Sequence, residues 1–518
     1  MCVLKNINLY NERLFFLEME KGFDTKKYLE VQSSEILKRV NGLGKLYLEF
    51  GGKICDDFHA ARVLPGYDAN AKIEMLKMIK EESEIIFCIS AKDIENGKMQ
   101  GDFGLNYDAM TFKSINKLKG FGLTVSAVVI NRFSNEQKAL KFKKYLENIG
   151  VRVYLQHEIA GYPVDVDRIV SSEGYGRNPY VETEKKVVVV LGVGPGSGKM
   201  SFCLSQLYHD NVKGISSDFS KFETFPIWDL PINHPVNLAY EASTADIGDV
   251  NMIDPFHLQA RNVVAVNYNR DVENFPILKR ILEKIGSDVY VSPTDMGVNK
   301  AKEGIFDDVV IREASCQEIV RRYFRYKKEN LLGIVERSVV EKVERLMHQL
   351  GIDENSRVVV GPARQAALDA ETKEGKGNNG FCCGSAIQVG DNVVCGKNSD
   401  LLHSESSCII NVLKEVSDIP DDIFLLPETL IKSVKEMKGL IIKGSNPSLD
   451  VSEILIILAI SAPTNPAAKR CIENLPLLRG CEMHTTHLPT RGDENGLRDL
   501  GINLTSDSAL TPKIYFKS

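Results

Sequence analysis

Residues 185–199, KKVVVVLGVGPGSGK, decide the fold that this sequence predicts. Four valines followed by a leucine are typical of a strand that is buried on both faces, as in a parallel sheet. Glycines follow this apolar run, and helix-like sequence begins at Lys199. A buried strand, a glycine-rich turn and a helix, in this order, form the context that a phosphate-binding loop needs.

Strands and helices alternate on the N-terminal side of this stretch. The predicted strands are 45–50, 84–90, 123–130 and 151–156, and the predicted helices are 68–82, 108–119 and 135–148. Strands that alternate with helices of about 12 residues indicate βαβ units and a parallel sheet. Two more strands are predicted on the C-terminal side, at 263–267 and 288–291. The predicted fold class is therefore multi-domain α/β, with αβα sandwiches built on parallel sheets.

The chain has 518 residues, which at about 150 residues per domain suggests three domains. Composition shifts and loop-like stretches set the predicted boundaries. These are an N-terminal extension (1–18), an α/β domain (19–170), a second α/β domain with the glycine-rich loop (171–316), a helical connector (317–350) and a third α/β block (351–518).

Composition excludes several classes of protein. Sixty-four basic and seventy acidic residues leave a net charge of -6, which provides no electrostatic footprint for nucleic acid. No run of about 18 apolar residues occurs, so we expect no membrane span. The eleven cysteines are scattered, and the N-terminal stretch carries charges within its apolar part, unlike a signal peptide. We therefore expect a cytoplasmic protein with reduced thiols.

The glycine-rich loop is the strongest candidate for a binding site. Glycines let backbone N–H groups turn toward an anion, and a lysine reaches its terminal oxygens. The segment 193–201 resembles the loop of nucleoside monophosphate kinases, GGPGSGKGT, at the six positions from Gly194 to Lys199. Val193 replaces the first glycine, and Ser201 takes the place of the threonine that helps to hold Mg²⁺. The alternative is a tight turn without a ligand. The candidate ligand-binding residues are Gly194, Gly196, Ser197, Gly198, Lys199 and Ser201.

Polar segments after this loop supply further candidates. His234 and His257 are candidates for general acid or base, and Asp246 and Asp254 for Mg²⁺ or hydroxyl binding. Arg270, which directly follows a predicted strand, is a candidate for anion binding. In open parallel sheets, ligands bind beyond the carboxyl ends of strands. The alternative is that these residues only form turns.

A second resemblance lies in the third block. A predicted hairpin with its turn at 390–392, followed by a helix carrying His403 and Glu405, resembles the cytidine deaminase fold. In that family the histidine binds zinc and the glutamate moves protons to a metal-bound water. The Pro-Cys-x-x-Cys segment of the family is replaced here by NPAAKRC at 465–471, so one thiolate is missing. We expect a deaminase-like domain without zinc, serving packing or subunit contact in a homo-oligomer.

Two other patterns resemble metal-binding motifs, and we expect neither to bind a metal. The segment 157–161, HEIAG, begins like a zinc protease motif but has a glycine in place of the second histidine. Cys481, His484 and His487 place three donors in one short stretch, but we favour the alternative of an ordinary surface loop.

Nearly the whole chain from Met19 onward resembles one bacterial family of cytosolic proteins of similar length and unknown function. The segments that carry this resemblance are 22–24, 48–62, 172–178, 194–199, 222–240, 251–257 and 267–271. Some members are labelled ATP-dependent proteases, and the incomplete motif at 157–161 argues against that label here. The resemblance implies a three-part α/β architecture that ends in a deaminase-like subdomain.

These patterns predict an enzyme that binds a nucleotide, such as ATP with Mg²⁺, or another small phosphorylated ligand at the loop. Phosphoryl or nucleotidyl transfer would then depend mainly on positioning and electrostatics. Three alternatives stay open. They are a hydrolase or transferase of phosphorylated substrates that uses no nucleoside triphosphate, a zinc deaminase, and a non-catalytic assembly protein that senses a nucleotide.

Overall fold

The computed structural model describes residues 20–100, 105–194, 196–287, 290–378, 380–441 and 448–509. One compact unit spans 21–315, and a second contains the residues from 316 onward. The predicted N-terminal extension, 1–18, lies outside the described residues, as does the first half of the predicted strand 288–291.

The first unit contains eleven described strands. They are β1 (Lys45–Phe50), β2 (Ser83–Ser90), β3 (Met99–Gln100), β4 (Leu105–Asn106), β5 (Val125–Phe133), β6 (Val153–His157), β7 (Val187–Gly192), β8 (Ser217–Phe222), β9 (Asn251–Ile253), β10 (Val266–Tyr268) and β11 (Gly297–Val298). Seven of them form one parallel sheet in the order β11-β8-β1-β7-β2-β5-β6. The pairs β3-β4 and β9-β10 are small antiparallel sheets.

Helices flank the main sheet. They are α1 (Thr25–Val40), α2 (Phe58–Val63), α3 (Ala71–Met78), α4 (Ala91–Glu95), α5 (Tyr107–Gly120), α6 (Gln137–Asn148), α7 (Val166–Ile169), α8 (Lys199–Val212), α9 (Pro235–Ser243), α10 (Pro255–Arg261), α11 (Asn269–Ile285), α12 (Pro293–Met296) and α13 (Asp308–Leu331), which crosses the boundary between the units. The parallel α/β fold predicted from the sequence is confirmed.

The valine run of β7 is fully buried because it lies inside the sheet with helices over its faces. Phe202 and Leu207 of α8 and Phe275 and Leu282 of α11 belong to the same buried apolar cluster as Val188. Each fully buried side chain of this size stabilises the fold by about 1.5–3 kcal/mol relative to its exposed state.

Strand β1 lies between β7 and β8, although it precedes both by far in sequence. Leu46 of β1 is in register with Val187 of β7, and the rings of Phe50 and Phe222 stack with centroids 4.4 Å apart. Strands assigned from sequence to two domains, 19–170 and 171–316, therefore share one sheet, and the predicted boundary falls inside one compact unit. The carboxyl ends of β7, β1 and β8 meet at one edge, where the site lies.

The second unit has its own mixed sheet and apolar core. Its strands are β12 (Gly384–Val389), β13 (Asn392–Lys397), β14 (Glu482–Thr485) and β15 (Asn503–Ser506), and its further helices are α14 (Arg337–Leu350), α15 (Val360–Thr372), α16 (Ser404–Ser417), α17 (Glu428–Ile441), α18 (Val451–Ser461), α19 (Pro466–Glu473) and α20 (Arg491–Asp499). The strand order is β13-β12-β14-β15, with only β14 and β15 parallel. The hairpin turn predicted at 390–392 is present between β12 and β13.

The predicted helical connector 317–350 differs from the structure. Its first helix, α13, begins earlier, at Asp308, and a break at 332–336 separates it from α14. Gly333 adopts a φ of 69° in this break, a backbone conformation that continues no α-helix. Among the described helices, none combines the length and the apolar character needed to cross a membrane.

Candidate functional site

The glycine-rich loop connects β7 to α8 at the carboxyl edge of the main sheet. Gly198 is the N-cap of α8 and has a φ of 85°, and Gly196 has a φ of 75°, so both occupy the left-handed region. A Cβ at Gly196 would meet no atom within 4 Å, so the outer side of the loop is open. Pro195 lies outside the described residues.

The backbone amides of the loop are available to a ligand. Within the described residues, the amides of Gly196, Gly198 and Lys199 donate to no backbone carbonyl. They lie at the N-terminus of a 14-residue helix, where the helix dipole favours negative charge. This arrangement can hold anionic oxygens without any further backbone change.

Two buried side chains support the loop from below. The Asn131 side-chain amide at the end of β5 donates a hydrogen bond of 2.8 Å to the carbonyl of Ser197. The Asn131 Oδ1 and the Ser197 hydroxyl are buried and have no hydrogen-bond partner among the described residues. Asn131 and Ser197 are 2% and 1% exposed, and buried polar groups are normally paired, so these two atoms mark a place for water or ligand.

Lys199 is held by a carboxylate that the sequence analysis did not single out. Its Nζ lies 3.6 Å from Oε1 of Glu49, which comes from the carboxyl end of β1. Both side chains are more than four-fifths buried. The second oxygen of Glu49 is buried without a hydrogen-bond partner among the described residues. Lys199 therefore stands beside the loop with Glu49 as its negative neighbour.

Three more charged side chains lie at the same edge and complete what we call the charge cluster. Its members are Glu49, Lys199, Lys221, Glu223 and Asp271. Lys221, in β8, lies 2.5 Å from Oδ2 of Asp271 in the first turn of α11. Burial by itself would lower the pKa of Lys221, but the nearby carboxylates, Asp271 foremost, raise it instead. Lys221 is therefore charged at every physiological pH.

Glu223 follows β8 directly and is 6% exposed. The Tyr268 hydroxyl donates a hydrogen bond of 3.1 Å to its Oε1. Burial raises the pKa of Glu223 to about 7, against the opposing effect of the Lys221 charge. A carboxyl group that titrates near neutrality beside a candidate anion site is suited to exchanging protons.

Arg270 lies at the edge of this cluster but is already engaged. Its guanidinium donates a hydrogen bond of 3.2 Å to Asp249 and lies over the Tyr268 ring, 5.3 Å from the centroid. Burial lowers the pKa of Arg270, but the nearby acidic groups, Asp249 foremost, together leave this pKa raised. Nearly half of the Arg270 side chain is exposed, so the group predicted to bind an anion remains reachable.

The two residues predicted to bind Mg²⁺ or hydroxyl groups are a helix cap and a member of a short turn. Asp254 is fully buried, and its two oxygens accept hydrogen bonds from the amides of Phe256, His257 and Thr294 and from the Thr294 hydroxyl. By accepting these four hydrogen bonds, Asp254 caps α10 and ties it to α12. Asp246 lies in an exposed turn after α9.

The two predicted histidines are likewise held by protein groups. His234 caps α9 by accepting the amide proton of Val236 at 3.2 Å, and its Nε2 lies 2.9 Å from Asp308. Burial lowers the pKa of His234. His257 has its Nδ1 3.1 Å from the Ser292 hydroxyl. The described contacts of His234 run to α9 and α13, and those of His257 to Ser292 and Asp295, rather than to the loop.

The remaining loop candidates are placed as follows. Gly194 packs closely on Tyr107, whose hydroxyl would be 2.6 Å from an added Cβ. Ser201 lies in the first turn of α8, near the hydroxyls of Tyr162 and Tyr175. The structure thus brings the loop together with Glu49, Lys221, Glu223 and Asp271, which sequence reasoning missed. A signal was present, because KLYLEF and SDFSKFE each place a charged residue at the end of a buried strand.

In the second unit, the residues that carry the deaminase resemblance each have partners within the protein. His403 is 2.7 Å from Asp493, and the buried Glu405 accepts hydrogen bonds from Ser404 and Thr485. The Cys471 thiol donates to the carbonyl of Leu413. Over the described ranges, no three His, Cys, Asp or Glu side chains are grouped so that they could hold a metal ion.

The three donors of 481–487 also have separate partners. Cys481 donates to the Leu477 carbonyl, the His484 Nδ1 lies 2.9 Å from the Thr505 hydroxyl, and His487 contacts Thr485 and Glu405. This stretch includes strand β14 and is largely buried, so the surface-loop alternative is wrong.

Nearly the whole chain is similar to known proteins. A model of the domain of unknown function DUF1846, N-terminal, matches residues 21–351, and a model of its C-terminal counterpart matches residues 355–516. UPF0371 proteins of Clostridium botulinum (strain Eklund 17B / Type B) and of Clostridium tetani (strain Massachusetts / E88) are each 47% identical over 492 residues, which is 94% of this chain and 98% of each relative. A UPF0371 protein of Clostridium botulinum (strain Langeland / NCTC 10281 / Type F) is 46% identical over 504 residues, covering 96% and 100%.

Proposed function

The chain belongs to the DUF1846 family of bacterial proteins of unknown function, and from that premise we propose that it is an enzyme that binds a phosphate-bearing ligand, a nucleotide in the first place, at the glycine-rich loop. The reaction class is phosphoryl or nucleotidyl transfer. The observation that carries the proposal is the set of loop amides at Gly196, Gly198 and Lys199, which donate to no backbone carbonyl within the described residues, in a loop whose outer side is open at Gly196.

The chemistry of the loop supports an anion rather than a neutral ligand. Three features act in the same direction, namely the amides, the helix dipole of α8 and the Lys199 ammonium. The Ser197 hydroxyl and Asn131 Oδ1 add buried polar atoms that lack partners among the described residues. Electrostatic stabilisation of this kind is the main protein contribution to phosphoryl transfer.

The first test is direct binding measured by isothermal titration calorimetry with ATP, AMP, ribose 5-phosphate and pyrophosphate, with and without Mg²⁺. We expect the Lys199→Ala variant to bind at least about tenfold more weakly, because a charge-assisted hydrogen bond contributes about 1.5–3 kcal/mol. Lys199→Gln removes the same charge while keeping a donor for Glu49, which separates loss of binding from loss of fold.

Lys144→Ala is the matched control, since Lys144 is exposed on α6 and its removal changes the net charge equally. Unchanged affinity in both Lys199 variants would refute the proposal. Turnover of the bound compounds then separates the alternatives. Binding of a nucleoside triphosphate without turnover would indicate a sensor, and turnover of phosphate esters alone would indicate a hydrolase or transferase that uses no triphosphate.

A further inference from the structure

The charge cluster beside the loop has an uneven balance of charge. Two ammonium groups, Lys199 and Lys221, face three carboxyl groups, Glu49, Glu223 and Asp271. Lys221 is committed to Asp271, and Lys199 is the cation nearest to Glu49. An anion that draws Lys199 toward the loop therefore leaves Glu49 and Glu223 with less compensation.

We propose that the glycine-rich loop takes up its anionic ligand together with a proton, which the charge cluster binds at Glu223. This inference rests on the proposed function, and it adds that the ligand is a dianion, such as a terminal phosphate, whose binding depends on pH. The proton comes from the solvent and forms one O–H bond on the Glu223 carboxylate. No other bond changes.

Glu223 is the proton acceptor because of its surroundings. It is almost fully buried, and its Cγ packs against Gly51 at the end of β1, where an added Cβ would lie 3.8 Å from it. The charged and titratable groups that act on it come from four elements and are Lys221 of β8, Asp271 of α11, Tyr268 of β10 and Glu49 of β1, with Tyr240 of α9 beyond them. Of these groups, Lys221 and the Tyr268 hydroxyl favour its ionised form, and Asp271 and Glu49 oppose it.

The direction of the effect follows from the charges. The pKa of Glu223 in the free protein is raised to about 7 by burial, so the group is largely ionised above that pH. A dianion at the loop adds negative potential and removes Lys199 from Glu49, and both changes raise the pKa of Glu223 further. Above pH 7, the bound state therefore holds more protons than the free state, and affinity falls as the pH rises.

The experiment uses inorganic sulfate as the probe, because its charge stays constant near neutrality. Calorimetric titrations of the full-length protein are made in two buffers of different ionisation enthalpy, over pH values from about 6 to about 9. We expect net proton uptake above pH 7, and an affinity that is constant below this pH and falls above it by up to about tenfold per pH unit.

Two variants test the assignment to Glu223. Glu223→Gln keeps an acceptor for the Tyr268 hydroxyl and is expected to bind sulfate without proton uptake and without the pH dependence. Tyr268→Phe removes the hydrogen bond that favours the ionised form, so the fall in affinity is expected to move to higher pH. Glu147→Gln, at an exposed ion pair with Lys143 on α6, is the matched control and is expected to behave as the wild type.

The outcomes are separable. Sulfate binding without proton uptake, binding that requires Mg²⁺ and does not vary with pH, or a Glu223→Gln variant with unchanged pH dependence would each overturn this inference and leave the loop as an anion site. Failure of sulfate and of every nucleotide to bind the wild type would overturn the proposed function, and this inference with it.

Discussion

At the scale of single residues, backbone geometry limits what the loop tolerates. Gly198 has a φ of 85°, and a Cβ there would lie 2.6 Å from the Cβ of Asn131. Gly214, at the other end of α8, has a φ of 70° but no atom within 4 Å of an added Cβ. The two glycines therefore share the conformational requirement, and only Gly198 also has a steric one.

The first residue-scale prediction uses this pair. Gly198→Ala is expected to lower the free energy of unfolding by about 2–4 kcal/mol, and Gly214→Ala by about 1–2 kcal/mol, because only the former combines left-handed strain with a clash. Urea unfolding measures both. Equal losses in the two variants would show that Asn131 moves aside and that the loop is less tightly packed than described.

The buried pair of His403 and Asp493 makes the local stability of the fold depend on pH. Burial lowers the pKa of His403, but the Asp493 carboxylate outweighs burial and leaves this pKa raised. Burial raises the pKa of Asp493, and His403 outweighs that effect and leaves it lowered. The pair therefore exists as two opposite charges in the folded state.

The second prediction follows from the signs of these shifts. The His403 contribution is fully present below its unfolded pKa of about 6.5 and is lost as the pH rises through its raised folded value. The Asp493 contribution is present above about 4 and is lost as the pH falls through its lowered value. Hydrogen exchange at 403–417, measured against urea concentration, should show maximal local stability between these limits and a decline above about pH 7.

Variants at this pair separate it from general pH effects. Asp493→Asn is expected to cost about 3–5 kcal/mol because it leaves a buried histidine uncompensated. The control Asp418→Asn, at an exposed pair with Arg470, is expected to cost no more than about 1 kcal/mol. A wild-type stability at 403–417 that stays flat between about pH 6 and pH 9 would contradict the assignment.

At the scale of elements, one buried arginine joins two strands of the second unit. Arg357 is 1% exposed, and its guanidinium donates to the carbonyls of Met483 in β14 and Asn503 in β15 and to the Thr505 hydroxyl. It also forms an ion pair with Glu482. One planar group thus satisfies acceptors on two neighbouring parallel strands.

The third prediction is that lysine cannot replace Arg357. Arg357→Lys keeps the charge but cannot reach these acceptors from one planar group, so a loss of about 2–4 kcal/mol is expected. Arg345→Lys, at an exposed position of α14, is the control and is expected to change stability by less than about 0.5 kcal/mol. Chemical unfolding followed by circular dichroism measures both, and a tolerated Arg357→Lys would show that the acceptors find other donors.

At the scale of the whole molecule, the insertion of β1 between β7 and β8 decides which part of the chain is autonomous. A fragment of 171–316 lacks β1, the strand that pairs with both β7 and β8. The compact unit 21–315 contains all seven strands of the sheet and the charge cluster.

The fourth prediction compares two fragments. A fragment of 21–332, which ends after α13, is expected to be soluble, to unfold cooperatively and to bind sulfate as the full chain does. A fragment of 171–316 is expected to be insoluble or unfolded, because the edges of β7 and β8 would be left unpaired. Solubility, circular dichroism and calorimetry measure the difference. A folded 171–316 fragment would restore the boundary that the sequence predicts.

Local pattern was sufficient for many elements of the first unit. The valine run predicts β7, the alternation of strands and helices predicts a parallel sheet, and glycines before Lys199 predict the turn into α8, because each depends on neighbours in sequence. The predicted connector 317–350 is helical except for the break at 332–336, and the predicted boundary near residue 170 divides strands that share one sheet.

The sequence by itself determined the strand, loop and helix of 185–212, because burial of β-branched residues and the left-handed conformation of glycines are local requirements. Only the tertiary structure brings Glu49 beside Lys199 and Lys221 beside Asp271. The physical reason is that strand order depends on how whole strands and helices pack together, and no single segment encodes which strand will be its neighbour.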